Sequence, residues 1–129
     1  MTAVLLVVDA ANVVGCVPDG WWRDRLGAAE RLRDALAAYA VDALPAGALD
    51  PPAGPLEIVL VVEGAARGVG AVPGVRVEAA RGCGDDRIVE VVAAREAGRR
   101  CVVVTADREL RARVRALGAE VAGPRTVRP

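Results

Sequence analysis

The residues of this chain best suited to chemistry are five carboxylates and one amide. Asp9 closes an apolar run, Val4-Leu5-Leu6-Val7-Val8, and Glu63 closes a second, from Leu56 to Val62. Asp107 follows a third run, Cys101 to Val104, and Asp85-Asp86 open a helical pattern after a short fourth one, Val75 to Glu78. Asn12 is the only Asn in a chain without Gln, Ser, His or Lys. Carboxylates forced close together repel, raise one another's pKa and cost stability, and a divalent cation cancels that charge. An all-oxygen donor set suits Mg²⁺ or Mn²⁺. Such an ion activates water and stabilises the charge that develops in an in-line phosphoryl displacement. The absence of His excludes Ser–His and Cys–His nucleophile pairs. It also excludes a zinc site built from His and the three cysteines, Cys16, Cys83 and Cys101. Metal-assisted hydrolysis of a phosphodiester is the reaction class these residues point to. Each of them alone also reads as something plainer: Asp9, Asp85, Asp86 and Asp107 as caps, Glu63 as a solvated loop residue, Asn12 as a turn residue. Their shared position is the argument.

That position depends on the elements. Short continuous apolar runs belong to strands buried on both faces of a parallel sheet. Between them lie helical patterns over about 23–42, 85–97 and 107–117, with Leu26, Ala29, Leu32, Leu36 and Tyr39 forming the apolar stripe of the first. Ile88, Val89, Val92 and Ala93 form the buried side of the second, and Leu110, Val114 and Leu117 that of the third. Residues 13–20 read as a loop, the Pro- and Gly-rich 43–55 as a surface connection, and 119–121 as a last short strand. Alternating strands and helices imply a three-layer α/β/α sandwich with a mainly parallel, Rossmann-like sheet. At 129 residues the chain fits one domain, residues 1–123, followed by an irregular tail over 124–129. In such sheets ligands bind beyond the carboxyl ends of the strands, which is where the acidic residues fall.

Charge narrows the partners. Seventeen basic residues balance seventeen acidic ones, so a nucleic-acid partner would have to be met by a local patch. All seventeen are Arg, in a composition rich in Ala, Val and Gly, which reads as the coding bias of a GC-rich genome. No apolar run is long enough to cross a bilayer and the N-terminus lacks the features of a secretory signal, so a cytoplasmic location is expected.

Three blocks carry a resemblance. Val7-Val8-Asp9-Ala10-Ala11-Asn12-Val13-Val14, Gly84-Asp85-Asp86-Arg87-Ile88-Val89-Glu90 and Val103-Val104-Thr105-Ala106-Asp107-Arg108 together resemble the NYN domains, in particular the YacP-like branch of the PIN-like nucleases. The resemblance covers nearly the whole chain. It implies a PIN-like fold and an RNA endonuclease dependent on Mg²⁺ or Mn²⁺. Asp9, Asp86 and Asp107 would bind the metal, with Asp85 as a further ligand and Glu63 reaching it through water. Asn12 would orient a ligand, a water or the neighbouring loop. Arg81, Arg87 and Arg108 beside the acidic blocks would hold RNA phosphates, with Thr105 and Trp22 as further substrate contacts. Two differences from relatives stand out: Asp-Ala-Ala-Asn replaces the common Asp-Gly-Tyr-Asn, and Arg108 stands where several nucleases carry another acid. The smaller carboxylate set fits a one-metal site. PIN-like domains often act as dimers, so a homodimer is an expectation of the resemblance. Two other readings of the same edge are an RNA- or nucleotide-binding module with a vestigial metal site and a small-molecule phosphohydrolase.

Overall fold

The structure, a computed structural model, describes residues 3–128. Five strands form one sheet: β1 (Val4–Asp9), β2 (Leu56–Val62), β3 (Val75–Ala79), β4 (Cys101–Val104) and β5 (Glu120–Ala122). All neighbours run parallel, in the order β3-β2-β1-β4-β5. The central strand is apolar up to Asp9 because helices cover both of its faces. Leu6 and Val8 join the core formed with α1 (Ala10–Gly15) and α2 (Arg25–Asp42). Leu5 and Val7 join the core on the other side, with Ile88 and Val92 of α3 (Gly84–Ala93) and Leu110 and Val114 of α4 (Arg108–Ala116). The α/β/α sandwich with a parallel sheet is therefore the observed architecture. From β1 the chain winds outward to β2 and β3, then returns to the opposite side of β1 for β4 and β5. The switch in winding direction lies between β1 and β4, the place where ligands of such sheets bind beyond the strand ends.

Several local readings change. Residues 13–15, expected in a loop, end a helix that begins at Ala10, since Asp9 caps the turn and Val13 and Val14 are buried against α2. Local propensity disfavours a Val-Val pair in a helix, and tertiary burial overrides it here. The first long helix is preceded by a separate 3₁₀ turn over Trp21–Arg23, and Asp24 caps α2 by accepting from Gly27 N–H at 2.9 Å. Leu26, expected on its apolar stripe, is exposed. α3 ends at Ala93 rather than near 97, its buried side using Val91 in place of Ala93. Beyond that end Arg95 folds back, donating to Val92 O, Arg99 O and Leu117 O. Leu117, expected in the core, is exposed at the end of α4, where Gly118 turns the chain at φ +86°. β5 lies one residue later than expected.

Residues 124–128 are packed. Pro124–Thr126 form a 3₁₀ turn, Val127 is buried at 2% exposure, and Val127 O accepts from Tyr39 Oη at 3.2 Å. Arg128 reaches Asp19 at 2.6 Å and the carbonyls of Val13 and Val14. Among the described residues no helix is long and apolar enough to cross a membrane.

Candidate active site

Asp9 ends β1 at the switch point. Its side chain is only 5% exposed. Two neighbours hold it: Thr105 Oγ1, at the end of β4, donates to Asp9 Oδ2 at 2.9 Å, and Asn12 N–H donates to Oδ1 at 3.4 Å. Thr105 is itself fully buried, and its Oγ1 also accepts from Asp107 N–H at 3.2 Å. One hydroxyl thus bridges the Asp9 carboxylate and the backbone N–H of Asp107, three residues past the end of β4. Asn12 makes a second tie, its Oδ1 accepting from Ala106 N–H at 2.8 Å. Asp107 Oδ1 accepts from Leu110 N–H at 2.9 Å and so caps α4. Its plain role as a cap is real, and it leaves Oδ2 uncommitted by any hydrogen bond among the described residues.

Glu63 and Asp85 complete the acidic edge. Glu63 follows β2 and accepts from Gly84 N–H at 3.1 Å, which fastens the start of α3 to the end of β2. A side chain at Gly84 would strike this carboxylate, since an added Cβ would lie 2.9 Å from Glu63 Oε1. Burial pushes the Asp9 carboxyl up to about 6. Hydrogen bonds from Thr105 and Asn12 N–H pull it back, and the charges of Asp85 and Glu63 push it further up. Burial likewise raises Asp85, reinforced by the charges of Asp107 and Glu63 and opposed by Arg113. Asp9, Asp85, Asp107 and Glu63 therefore form one electrostatically connected group.

Asp86 differs from these acids in having a cation. It pairs with Arg113 at 3.1 Å and is 68% exposed. With Arg81, Cys83, Arg87 and Glu90 it lines a groove of about 530 Å³ beside the start of α3. Arg87 is already engaged, donating to Glu78 at 2.7 Å and lying 3.5 Å from Glu90, so that Glu78 is held below the usual carboxylate range. Arg81 and Arg108 are exposed and make no ion pair among the described residues. Trp22 is 49% exposed, edge-on to Trp21 with ring centroids 5.9 Å apart, and Arg23 lies over its ring. Thr105 has no surface to offer a substrate; its hydroxyl is a positioning group.

Arg113 and Glu78 were not singled out from the sequence. Arg113 lies on a helix where only Leu110 and Val114 are buried, and nothing local marks it as the partner of Asp86. The donor set at the strand ends is oxygen-only, which fits Mg²⁺ or Mn²⁺. Among the described residues no three acidic or cysteine side chains already converge as a cation cage. Magnesium commonly takes only one or two carboxylates and keeps several waters, so an oxygen-only edge does not need a three-carboxylate cage to suit it.

Comparison with solved structures agrees with the architecture. Rae1 (YacP) from Bacillus subtilis superposes with a TM-score of 0.72 and 18% identity, over 98% of this chain and 71% of that one. A tryptophan-to-leucine mutant of the same protein superposes with a TM-score of 0.66 and 17% identity, over 95% of this chain and 70% of that one. No protein-family model matches the sequence, and no match is found among curated proteins. The likeness is one of fold, and the fold is YacP-like and PIN-like.

Proposed function

We propose that this chain is a divalent-metal-dependent endonuclease that hydrolyses RNA phosphodiesters at the carboxyl edge of its sheet. The observation that carries the reading is the buried Asp9 at the switch point, held by the Thr105 hydroxyl that also caps the Asp107 backbone N–H, and raised in pKa by burial and by the charges of Asp85 and Glu63. A structure with no use for that concentration of charge would neutralise it with arginine, as it does at many other places on this surface. Asp9, Asp85 and Asp107 would hold Mg²⁺ or Mn²⁺. Asp86, paired with Arg113, stands at the margin and would act on the substrate side. The metal would supply an activated water and charge stabilisation at the phosphorus.

The chain's own residues do the rest. Thr105 and Asn12 fix the Asp9 carboxylate and tie α1 to the loop ahead of α4, so the acids on separate strands keep their relative positions. Arg81 and Arg108, exposed on either side of the acidic edge, would take up the phosphates flanking the scissile bond. The kinship in fold with Rae1 (YacP) supports a nuclease over unrelated phosphate chemistry.

The lack of a ready three-carboxylate cage favours a second reading, an RNA- or nucleotide-binding module with a degenerate metal site. One experiment separates the two. Wild type and Asp9→Asn are incubated with a mixed-sequence RNA in Mn²⁺, and binding is followed in parallel. The nuclease reading expects cleavage by wild type only, with at least about a hundredfold loss in the variant and RNA affinity level or higher. RNA binding without Mn²⁺-dependent cleavage selects the binding module, and cleavage of nucleotides or simple phosphate esters but not RNA selects a phosphohydrolase.

A further inference from the structure

Beside the acidic edge, on the α2 side of the sheet, lies a pocket of about 250 Å³ whose role in the proposed hydrolysis is unassigned. Its walls are apolar and small: Ala10, Ala11 and Val14 of α1, Ala29 of α2 and Ala66. Trp21 forms the remaining wall. Two charged residues stand at the rim, Arg25 and Glu63. Arg25 lies over the Trp21 ring, 5.4 Å from its centroid, and makes no ion pair among the described residues. Glu63 accepts from Gly84 N–H through Oε2, and Oε1 is without a hydrogen-bond partner among the described residues. The pocket adjoins the reaction edge directly, because Ala10 and Ala11 sit between Asp9 and Asn12 in α1.

The chemistry of this pocket is specific. Its volume lies below the roughly 300–1,000 Å³ of sites for drug-sized molecules, which leaves room for one planar ring system. An aromatic side chain among small aliphatic ones suits a flat ring, and base–aromatic stacking is a common way proteins hold an unpaired base. A carboxylate at the rim accepts N–H donors only. Guanine is the base that presents two adjacent donors, its ring N–H and its exocyclic amine, on one edge. Adenine and cytosine offer an amine beside an acceptor, and uracil a single N–H between two carbonyls. The guanidinium of Arg25, stacked on Trp21 and in no ion pair among the described residues, supplies the cation that the attached phosphate needs.

We infer that the pocket between Trp21, α1 and Ala66 is a guanine-accepting subsite, in which Glu63 receives the base's donor edge and Arg25 its phosphate. Next to the strand-terminal acids, it would choose which nucleotide of a single-stranded RNA is presented for cleavage. The inference rests on the RNA reading for its substrate, but base binding itself needs neither metal nor turnover.

The test therefore uses nucleoside monophosphates in EDTA. GMP, AMP, CMP and UMP are titrated into the full chain, and amide and indole N–H signals are followed by NMR. GMP should shift the Trp21 indole and the Ala11 and Ala66 amides, and bind about tenfold or more tightly than UMP or AMP, the scale set by hydrogen bonds to a charged acceptor. Glu63→Gln should shrink that ratio to within about threefold, because a side-chain amide no longer accepts from two donors at once. Ala66→Leu, which fills the pocket, should abolish the shifts for every nucleotide while its thermal midpoint stays near wild type. Trp21→Phe should keep guanine preference with weaker binding, which separates stacking from a structural role of the indole. Absence of shifts at the pocket, equal response to all four nucleotides, or an Ala66→Leu variant that binds GMP normally would each overturn the assignment. Loss of RNA cleavage in Mn²⁺ would leave it standing, so its failure and that of the nuclease reading are distinct.

Discussion

Asp9 gives up nearly all its hydration for two hydrogen bonds, and the exchange is unfavourable to its charged form. The folded-state pKa of about 6 exceeds the ordinary 3.8, so the native state binds the proton more tightly than the unfolded chain does. The stability from this group is fully present below pH 3.8 and is lost as pH rises through about 6. At neutral pH, without a cation, the charged carboxylate costs on the order of 3 kcal/mol, since each tenfold change in proton affinity is worth about 1.4 kcal/mol. Asp9→Asn should consequently be as stable as wild type or more so at pH 8 in EDTA, by up to about 2 kcal/mol, with the gap narrowing toward pH 5. Urea unfolding at the two pH values checks this, and a variant that loses stability equally at both would contradict it. Thr105→Val tests the neighbouring hydroxyl. The change keeps the shape but leaves Asp9 and the Asp107 N–H each short of a partner, and should cost about 1–3 kcal/mol. It should also push the Asp9 pKa higher, since the lost hydrogen bond favours the charged form.

Helices and strands carry these side chains to one place, and their attachments are separable. The Asn12-to-Ala106 bond joins α1 to the segment that leads into α4, and it is exposed. Asn12→Ala should therefore cost only about 1 kcal/mol in unfolding while lowering cleavage well beyond that, with faster hydrogen exchange at the Ala106 amide. The C-terminal turn is a second attachment: truncation after Gly123 removes the buried Val127, its bond to Tyr39 and the Arg128 contacts, and should cost about 2–4 kcal/mol by urea unfolding. How far such placements were legible differs by residue. Asp9 was, because five apolar residues before one carboxylate can only be a strand end in a sheet covered on both sides. Gly84-Asp85-Asp86 was legible as a helix start, but not which acid turns inward, since that depends on how α3 meets the end of β2. The packed tail was hidden because the value of Val127 lies in contacts such as Tyr39, 88 residues away in sequence. The last turn of α1 was hidden because Pro18, Asp19 and Gly20 mark a loop and β-branched Val13 and Val14 disfavour a helix locally, whereas tertiary burial stabilises one there.

Taken as one object, the molecule pairs many of its arginines with carboxylates but leaves the strand-end acids without a cation. Arg76, Arg87, Arg99, Arg100 and Arg128 each meet a carboxylate within 4 Å. Asp9, Asp85, Asp107 and Glu63 have no such partner among the described residues. Zero net charge thus conceals a local excess of negative charge at the switch point, and a cation bound there should stabilise the fold by mass action. At a hundred times its dissociation constant, a single Mn²⁺ adds about 2.7 kcal/mol to the unfolding free energy. The same proton that relieves Asp9 competes with the metal, so the effect must depend on pH: large at pH 8, where Asp9 is ionised, and small at pH 5, where it is mostly protonated. Thermal unfolding with and without Mn²⁺ at the two pH values measures it directly. Asp9→Asn and Asp85→Asn should each reduce the pH 8 increment, whereas Asp86→Asn should reduce it less, because Asp86 already has Arg113. An increment that is equal at both pH values, or unchanged in Asp9→Asn, would place the cation elsewhere on the protein and remove the metal from the switch point.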